Sequence, residues 1–294
     1  MEMISAKTMV TKTKNDLWFG TDYNMNIYRG CSHGCIYCDS RSDCYHVERF
    51  DEVRAKENSS LLLEKELSSK KKTGVIGTGA MSDPYNPFEK TYELTREALK
   101  VINRNEFGVA IATKSDLISR DIDILKAIMA HSPVLAKITI TAAQDELSLK
   151  VEPHAPLSSE RFKAVEALAR EGVFTGVLLM PVLPFIEDYP ENIEAIIQKA
   201  YDSGAKFIYP GFGVTLRQNQ RDYYYAALDK TFPGIKSKYS LTFGDAYSCA
   251  SPNAKALYQI FKKQCEEKGM LYKMKDIISA YKKGYEDKQI SLFD

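Results

Sequence analysis

Long apolar runs are missing from this chain. None approaches the roughly eighteen consecutive residues that span a bilayer, so no membrane span is expected. The opening, Met1 to Lys7, has no long apolar region and does not read as a secretory signal. A surplus of either charge is missing too. Forty basic residues face 39 acidic ones, a formal charge of +1, so no global field drives the protein onto nucleic acid and only a local basic face remains open to it. Cysteine is scarce: six in 294 residues do not make a disulfide framework. The rest of the composition is ordinary. Hydrophobic residues make up 44% and charged ones 27%, which suits a globular protein, and the length is normal for an α/β barrel.

The cysteines that are present are not scattered. Three of the six fall within eight residues, in Tyr28-Arg-Gly-Cys31-Ser-His-Gly-Cys35-Ile-Tyr37-Cys38-Asp. An isolated cysteine behaves as an inert buried thiol. Three packed this closely among glycine and small polar residues suit a metal, because thiolates are the soft ligands that select iron–sulfur clusters or zinc. Gly30 and Gly34 permit the turns that let three thiolates converge. Two sites meet this description. One is an iron–sulfur cluster with one iron left open to a small molecule; the other is a structural zinc completed by Cys44 or His46.

Around this loop the chain alternates strand and helix. Strands are expected at 23–28, 73–78, 107–113, 134–141, 173–180 and 205–209, with helices at 58–70, 89–103, 116–129, from Ser158 onward, 191–201 and 218–228. Parallel strands require such crossovers, so six parallel strands form a partial (βα)6 barrel rather than a closed eightfold ring. Residues 1–22 make an N-terminal extension, 23–235 the barrel, and 236–294 a mainly helical extension that covers the barrel or the substrate mouth. Barrel enzymes place chemistry in the loops after their strands. The loop Gly79-Ala-Met-Ser-Asp83-Pro-Tyr85-Asn-Pro87 is the first of these, with Asp83 offering a polar contact and the prolines stiffening the backbone. Lys114 lies at the end of the third strand.

The spacing C-x3-C-x-aromatic-C near the start of an α/β chain resembles the radical S-adenosylmethionine (SAM) superfamily. The wider block from Asn26 to Cys38, with the later run Ser82-Asp-Pro-Tyr-Asn-Pro87, is similar to its spore photoproduct lyase-like, or DNA repair photolyase-like, branch. The resemblance covers most of the first 235 residues. It implies a partial barrel of the radical SAM type, in which Cys31, Cys35 and Cys38 hold a [4Fe–4S] cluster. The amine and carboxylate of SAM then chelate the fourth iron. Reductive cleavage gives a 5′-deoxyadenosyl radical that abstracts hydrogen from substrate.

The same resemblance assigns cofactor contacts. Tyr37 lies against the adenine. Gly77, Thr78 and Gly79 occupy the place of a Gly-Gly-Glu-like segment that meets the methionyl amine, without its glutamate. Arg161, early in the helix after the fourth strand, pairs with the SAM carboxylate. From their places at strand ends, Thr139 and Thr141 are expected to reach the ribose, Lys114 to meet the SAM carboxylate or a substrate phosphate, and Asp83 to add a polar contact. Pro184 belongs to the fifth-strand loop that packs on adenine.

One departure stands out. Photoproduct repair quenches its product radical with a cysteine before the Ser-Asp segment, and the residues here are Ala80-Met81-Ser82-Asp83. Cys44, Cys249, Tyr37 or Tyr85 is then the candidate to donate the hydrogen instead. The substrate is unassigned: a nucleic-acid lesion or modified base on one reading, a peptide or small metabolite on another. A non-catalytic iron–sulfur protein and a zinc-stabilised nucleic-acid-binding protein are the remaining alternatives. An external low-potential electron donor such as flavodoxin or ferredoxin is implied, with a monomer in the reducing cytoplasm.

Overall fold

The computed structural model describes residues 1–14 and 17–285. Its N-terminal part supplies β1 (Glu2–Ile4), β2 (Val10–Lys12), β3 (Tyr23–Met25), β4 (Tyr28–Arg29) and β5 (Arg54–Lys56). The alternating region follows as α1 (Ser59–Ser68), β6 (Val75–Thr78), α2 (Glu89–Tyr92), α3 (Leu94–Arg104), β7 (Gly108–Thr113) and α4 (Ile122–Met129). It continues as β8 (Val134–Thr139), α5 (Asp145–Val151), α6 (Ser158–Arg170), β9 (Phe174–Leu179), α7 (Pro190–Asp202) and β10 (Phe207–Pro210). The C-terminal part adds β11 (Gly213–Thr215), α8 (Gln220–Thr231), α9 (Ile235–Phe243), β12 (Ser248–Ala250), α10 (Ala254–Glu267) and α11 (Met274–Lys282).

The main sheet runs β10-β9-β8-β7-β6-β3-β2. Six of its strands, β3 and β6 to β10, are mutually parallel, and β2 closes one edge in the antiparallel sense. This is the expected order of six parallel strands in an open α/β sheet. Residues on these strands alternate between two apolar environments. Ile76, Val109, Ile111, Ala136, Ile138, Val177 and Ile208 face the helices in the largest core cluster. Val75, Ala110, Leu135, Leu178 and Phe207 face inward, where Phe19 and, from α11, Ile277 and Tyr281 fill the floor. Burying each such aliphatic side chain contributes ~1.5–3 kcal/mol.

Four elements differ from the periodicity, among them the expected helix 116–129, whose α-helical part begins only at Ile122. The expected strand 23–28 is split: β3 pairs with β6, while β4 turns away to pair with β5 in a second small sheet. The chain then leaves β4 through Gly30, at φ +80, where any Cβ would lie 2.5 Å from the Phe50 carbonyl oxygen. The expected helix 89–103 is broken at Glu93, and the buried Glu89 carboxylate caps the second piece by accepting from the backbone of Thr95 (3.0 Å) and Arg96 (3.3 Å). The polar insertion after β8 contains a helix of its own, α5.

Segments at both ends are woven into this frame. β12 pairs with β11, which leaves the sixth parallel strand, and α10 lies along α7. Residues 286–294 of the expected C-terminal extension, and 15–16 of the N-terminal one, lie outside the described residues. Among the described residues no helix is long and apolar enough to cross a membrane.

Candidate functional site

The cysteine loop leaves β4 and lies over the carboxyl ends of β6, β7 and β8. Cys31, Cys35 and Cys38 line one cavity of about 100 Å³, shared with Gly79, Ala80 and Lys114. The backbone fixes their placement: Cys31 donates to the Phe50 carbonyl at 2.9 Å and Ile36 to the Val151 carbonyl at 3.0 Å. Gly34, at φ +69, makes the turn between the first two thiols. Gly79 sits at φ +93 against β7, where a Cβ would lie 1.9 Å from the Ala112 carbonyl oxygen. The cavity wall is therefore bare backbone at that point.

Asp83 ties this loop to the neighbouring strands. It accepts from the Thr113 hydroxyl (2.6 Å) and from the backbone of Tyr85 (2.9 Å) and Lys114 (2.8 Å). Its carboxylate lies 3.4 Å from Nδ1 of the buried His33. Burial alone would raise the Asp83 carboxyl, but His33 and these donors bring it down to about 2. Burial opposes the charge on His33 as well, and Asp83 overcomes it, raising the imidazole to about 10. Burial pushes all three thiols up and leaves Cys35 and Cys38 raised, but at Cys31 the hydrogen bond and charge of His33 outweigh it and bring the thiol below its ordinary value. Ser82 donates to the Gly30 carbonyl at 2.5 Å and pins the same loop again.

Beside the thiol-lined cavity opens a second one of about 530 Å³. Cys35, Cys38, Ser40, Ala80 and Lys114 belong to both. Tyr37, Met180 and Pro181 form one wall of the larger cavity; β12, paired with β11, contributes Ser248 and Ala250 to another. Tyr37 donates its hydroxyl to Glu152, and Gln220 Nε2 holds the Tyr37 carbonyl at 2.9 Å. Lys114 Nζ lies 5.6 Å from the Tyr37 ring centre and 4.0 Å from Glu152 Oε1. Burial works against the Lys114 ammonium, but Cys35 and Glu152 raise its pKa overall.

The residues named from the sequence divide into two groups. Cys31, Cys35, Cys38, Gly79, Asp83, Lys114 and Thr139 come together around the smaller cavity, with Tyr37 in the larger one. The others are placed elsewhere. Gly77 packs against Thr21 and Asn24, and its neighbour Thr78, likewise in β6, lines neither cavity. Thr141 lies beyond the end of β8 and donates to Glu187 at 2.7 Å. Burial raises that glutamate to about 8. Pro184 is buried, and Pro181 takes the cavity wall.

Arg161 is fully buried. It pairs with Glu152 at 2.5 Å and donates to the carbonyls of Pro156 (2.7 Å) and Thr139 (3.0 Å), so it faces a protein carboxylate rather than either cavity. Three of the expected hydrogen donors are likewise apart. Cys44 is exposed and accepts from Arg217 at 3.1 Å in a different surface cavity. Tyr85 is buried with its hydroxyl away from both cavities. Cys249 alternates with Ser248 and Ala250 along β12, so strand geometry turns it into the core while its neighbours face the cavity.

Two residues escaped the sequence reading. His33 lies between two of the cysteines, and that position was the available signal. Glu152 sits in the polar insertion, where no periodicity marks it. The donor set fits a cluster better than the zinc alternative. Cys44 and His46, the proposed fourth zinc ligands, line separate cavities.

The fold and this rim define an α/β partial barrel with a three-thiol site at the carboxyl ends of its strands. The chain belongs to the radical SAM superfamily, whose family model matches residues 25–200. An uncharacterized protein of Methanocaldococcus jannaschii is 32% identical over 188 residues, covering 63% of this chain and 68% of that protein. One from Mycobacterium tuberculosis is 27% identical over 245 residues, covering 80% and 71%. A variant of spore photoproduct lyase, with bound AdoMet and dinucleoside spore photoproduct, has the same fold. Its TM-score is 0.66 at 14% identity, over 90% of this chain and 79% of that one. Membership implies an enzyme that uses SAM and a [4Fe–4S] cluster.

Proposed function

We propose that this chain binds a [4Fe–4S] cluster through Cys31, Cys35 and Cys38, and that SAM lies across the two joined cavities. When bound, the pair supplies reductive cleavage of SAM to a 5′-deoxyadenosyl radical that takes hydrogen from a substrate. The observation that carries this reading is the junction of the cavities: three thiols on one side, about 530 Å³ of space on the other, and no fourth thiol between them.

The chain's own residues have distinct tasks in this scheme. Asp83 and His33 hold the cysteine loop in place. Lys114 offers an ammonium to a carboxylate at the junction. Tyr37 gives an aromatic wall to a nucleobase, and Met180 and Pro181 continue it. Water is kept from the base of the site by the packed floor of Phe19, Ile277 and Tyr281. An external low-potential donor such as flavodoxin or ferredoxin delivers the electron.

For substrate we favour a nucleic-acid lesion or modified base. Support comes from the fold shared with an enzyme that binds a dinucleoside photoproduct. Ala80, on the wall of both cavities, stands where that chemistry uses a thiol, so the product radical is quenched differently here.

Anaerobic reconstitution tests the first part: about four iron and four sulfide per chain are expected, with loss of both in Cys35→Ala. Reduced protein should release 5′-deoxyadenosine from SAM. Stoichiometric zinc without SAM binding would reject the reading. Deuterium transfer into 5′-deoxyadenosine from labelled dinucleoside lesions, against labelled peptides, tests the substrate class.

A further inference from the structure

Glu152 is a buried carboxylate that holds the Tyr37 wall of the larger cavity from behind. It follows α5, in an insertion between the fourth parallel strand and its crossover helix, far in sequence from the cysteine loop. Its side chain is 1% exposed. One oxygen takes the Tyr37 hydroxyl and faces Lys114 Nζ at 4.0 Å; the other takes Arg161 at 2.5 Å. Arg161 is anchored in turn by the carbonyl of Thr139, the last residue of β8. The remaining guanidinium nitrogen, Nη2, is buried without a partner.

A buried ion pair of this kind is a poor source of stability, because desolvation offsets most of the attraction. An apolar pair of similar volume would pack the same space. What the pair does provide is direction. It fixes the Tyr37 hydroxyl from outside the cysteine loop, while Gln220 fixes the Tyr37 carbonyl from α8. The ring lies between two tethers and forms the cavity wall one residue before Cys38. The same carboxylate keeps the Lys114 ammonium near that ring.

We propose that Glu152, backed by Arg161, is a positioning residue. It sets the Tyr37 ring and the Lys114 ammonium in the geometry that receives the nucleoside and the carboxylate of SAM. This rests on the SAM-binding reading above.

The experiment measures SAM binding to cluster-loaded protein by anaerobic equilibrium dialysis. Wild type is compared with Glu152→Gln, Tyr37→Phe and the double variant. Glutamine keeps the size of the side chain, and phenylalanine keeps the ring. Each single change should weaken SAM binding about tenfold, and the double variant no further, because both remove one shared constraint. Iron content of Tyr37→Phe should match wild type, which a merely structural role would not produce. Single variants that bind SAM as wild type does, or a double variant weakened about a hundredfold, would overturn the role of Glu152. A wild-type protein that carries the cluster but takes up no SAM would overturn the functional reading itself, and this inference with it.

Discussion

Asp83 Oδ2 accepts the backbone N–H of Lys114 at 2.8 Å, so the loop after one parallel strand is stitched to the end of the next. Oδ1 takes the Thr113 hydroxyl and the Tyr85 amide, and His33 lies at the far side. The sequence pointed to Asp83 as a contact for the cofactor. In the structure Asp83 lines the smaller cavity, and both of its oxygens also accept from protein donors that hold the loop.

Removing that carboxylate leaves a buried cation and several donors unpaired. Asp83→Ala should lower stability by ~3 kcal/mol or more, a large part of the ~5–15 kcal/mol that holds a domain folded. Urea unfolding of the metal-free chain checks the size of the effect. Iron retention after desalting should fall in the same variant.

Gly79→Ala confronts both a left-handed backbone and a contact 1.9 Å from the Ala112 carbonyl oxygen. The backbone conformation alone costs ~1–2 kcal/mol for a residue with a Cβ. The clash adds to it and pushes β6 and β7 apart at the cavity wall. Iron loading should drop well below that of wild type, while a matched Gly172→Ala control, with open space around it, should bear only the backbone strain.

Lys137 points into the barrel interior from β8. It is 3% exposed, and its Nζ lies 4.6 Å over the Phe19 ring. Burial lowers its pKa to about 7, against ~10.4 for an unfolded lysine. Between those values the unfolded chain holds one more proton than the folded one, so this residue makes stability rise with pH by ~1 kcal/mol per unit. Below about pH 7 both states are protonated and its slope vanishes. Lys137→Met should be more stable than wild type near neutrality, and the difference should shrink towards about pH 10. Urea midpoints across that range measure it.

Cys44 and Cys249 lie outside both cavities. Cys44→Ser and Cys249→Ser should each cleave SAM within about twofold of wild type, with Cys249→Ser losing ~1 kcal/mol of stability for a buried hydroxyl. Rates of 5′-deoxyadenosine formation under saturating reductant decide this.

Much of this architecture could be read before any coordinates. Short β-branched runs such as Val134 to Thr139, separated by amphipathic helices, announce parallel strands because both faces of each are buried. The cysteine loop announces itself by spacing. What could not be read depends on contacts between distant segments. Arg161 opens its helix as expected, but its partner Glu152 comes from an insertion with no pattern of its own. Cys249 looked available because the register of β12 against β11, which turns it inward, leaves no mark on a three-residue strand. Pro181 and Pro184 are equivalent in sequence, and only the path of the loop separates them.

The floor of the barrel links positions separated by most of the polypeptide. Tyr281 donates to the Phe19 carbonyl at 2.6 Å and Lys282 to the Gly20 carbonyl at 2.5 Å, each across 262 positions. During synthesis the strands emerge long before the helix that seals them from below. Until α11 leaves the ribosome, Val75, Ala110, Leu135 and Phe207 have only Phe19 to cover them, and exposed apolar surface of this kind draws nascent chains into aggregates or chaperones.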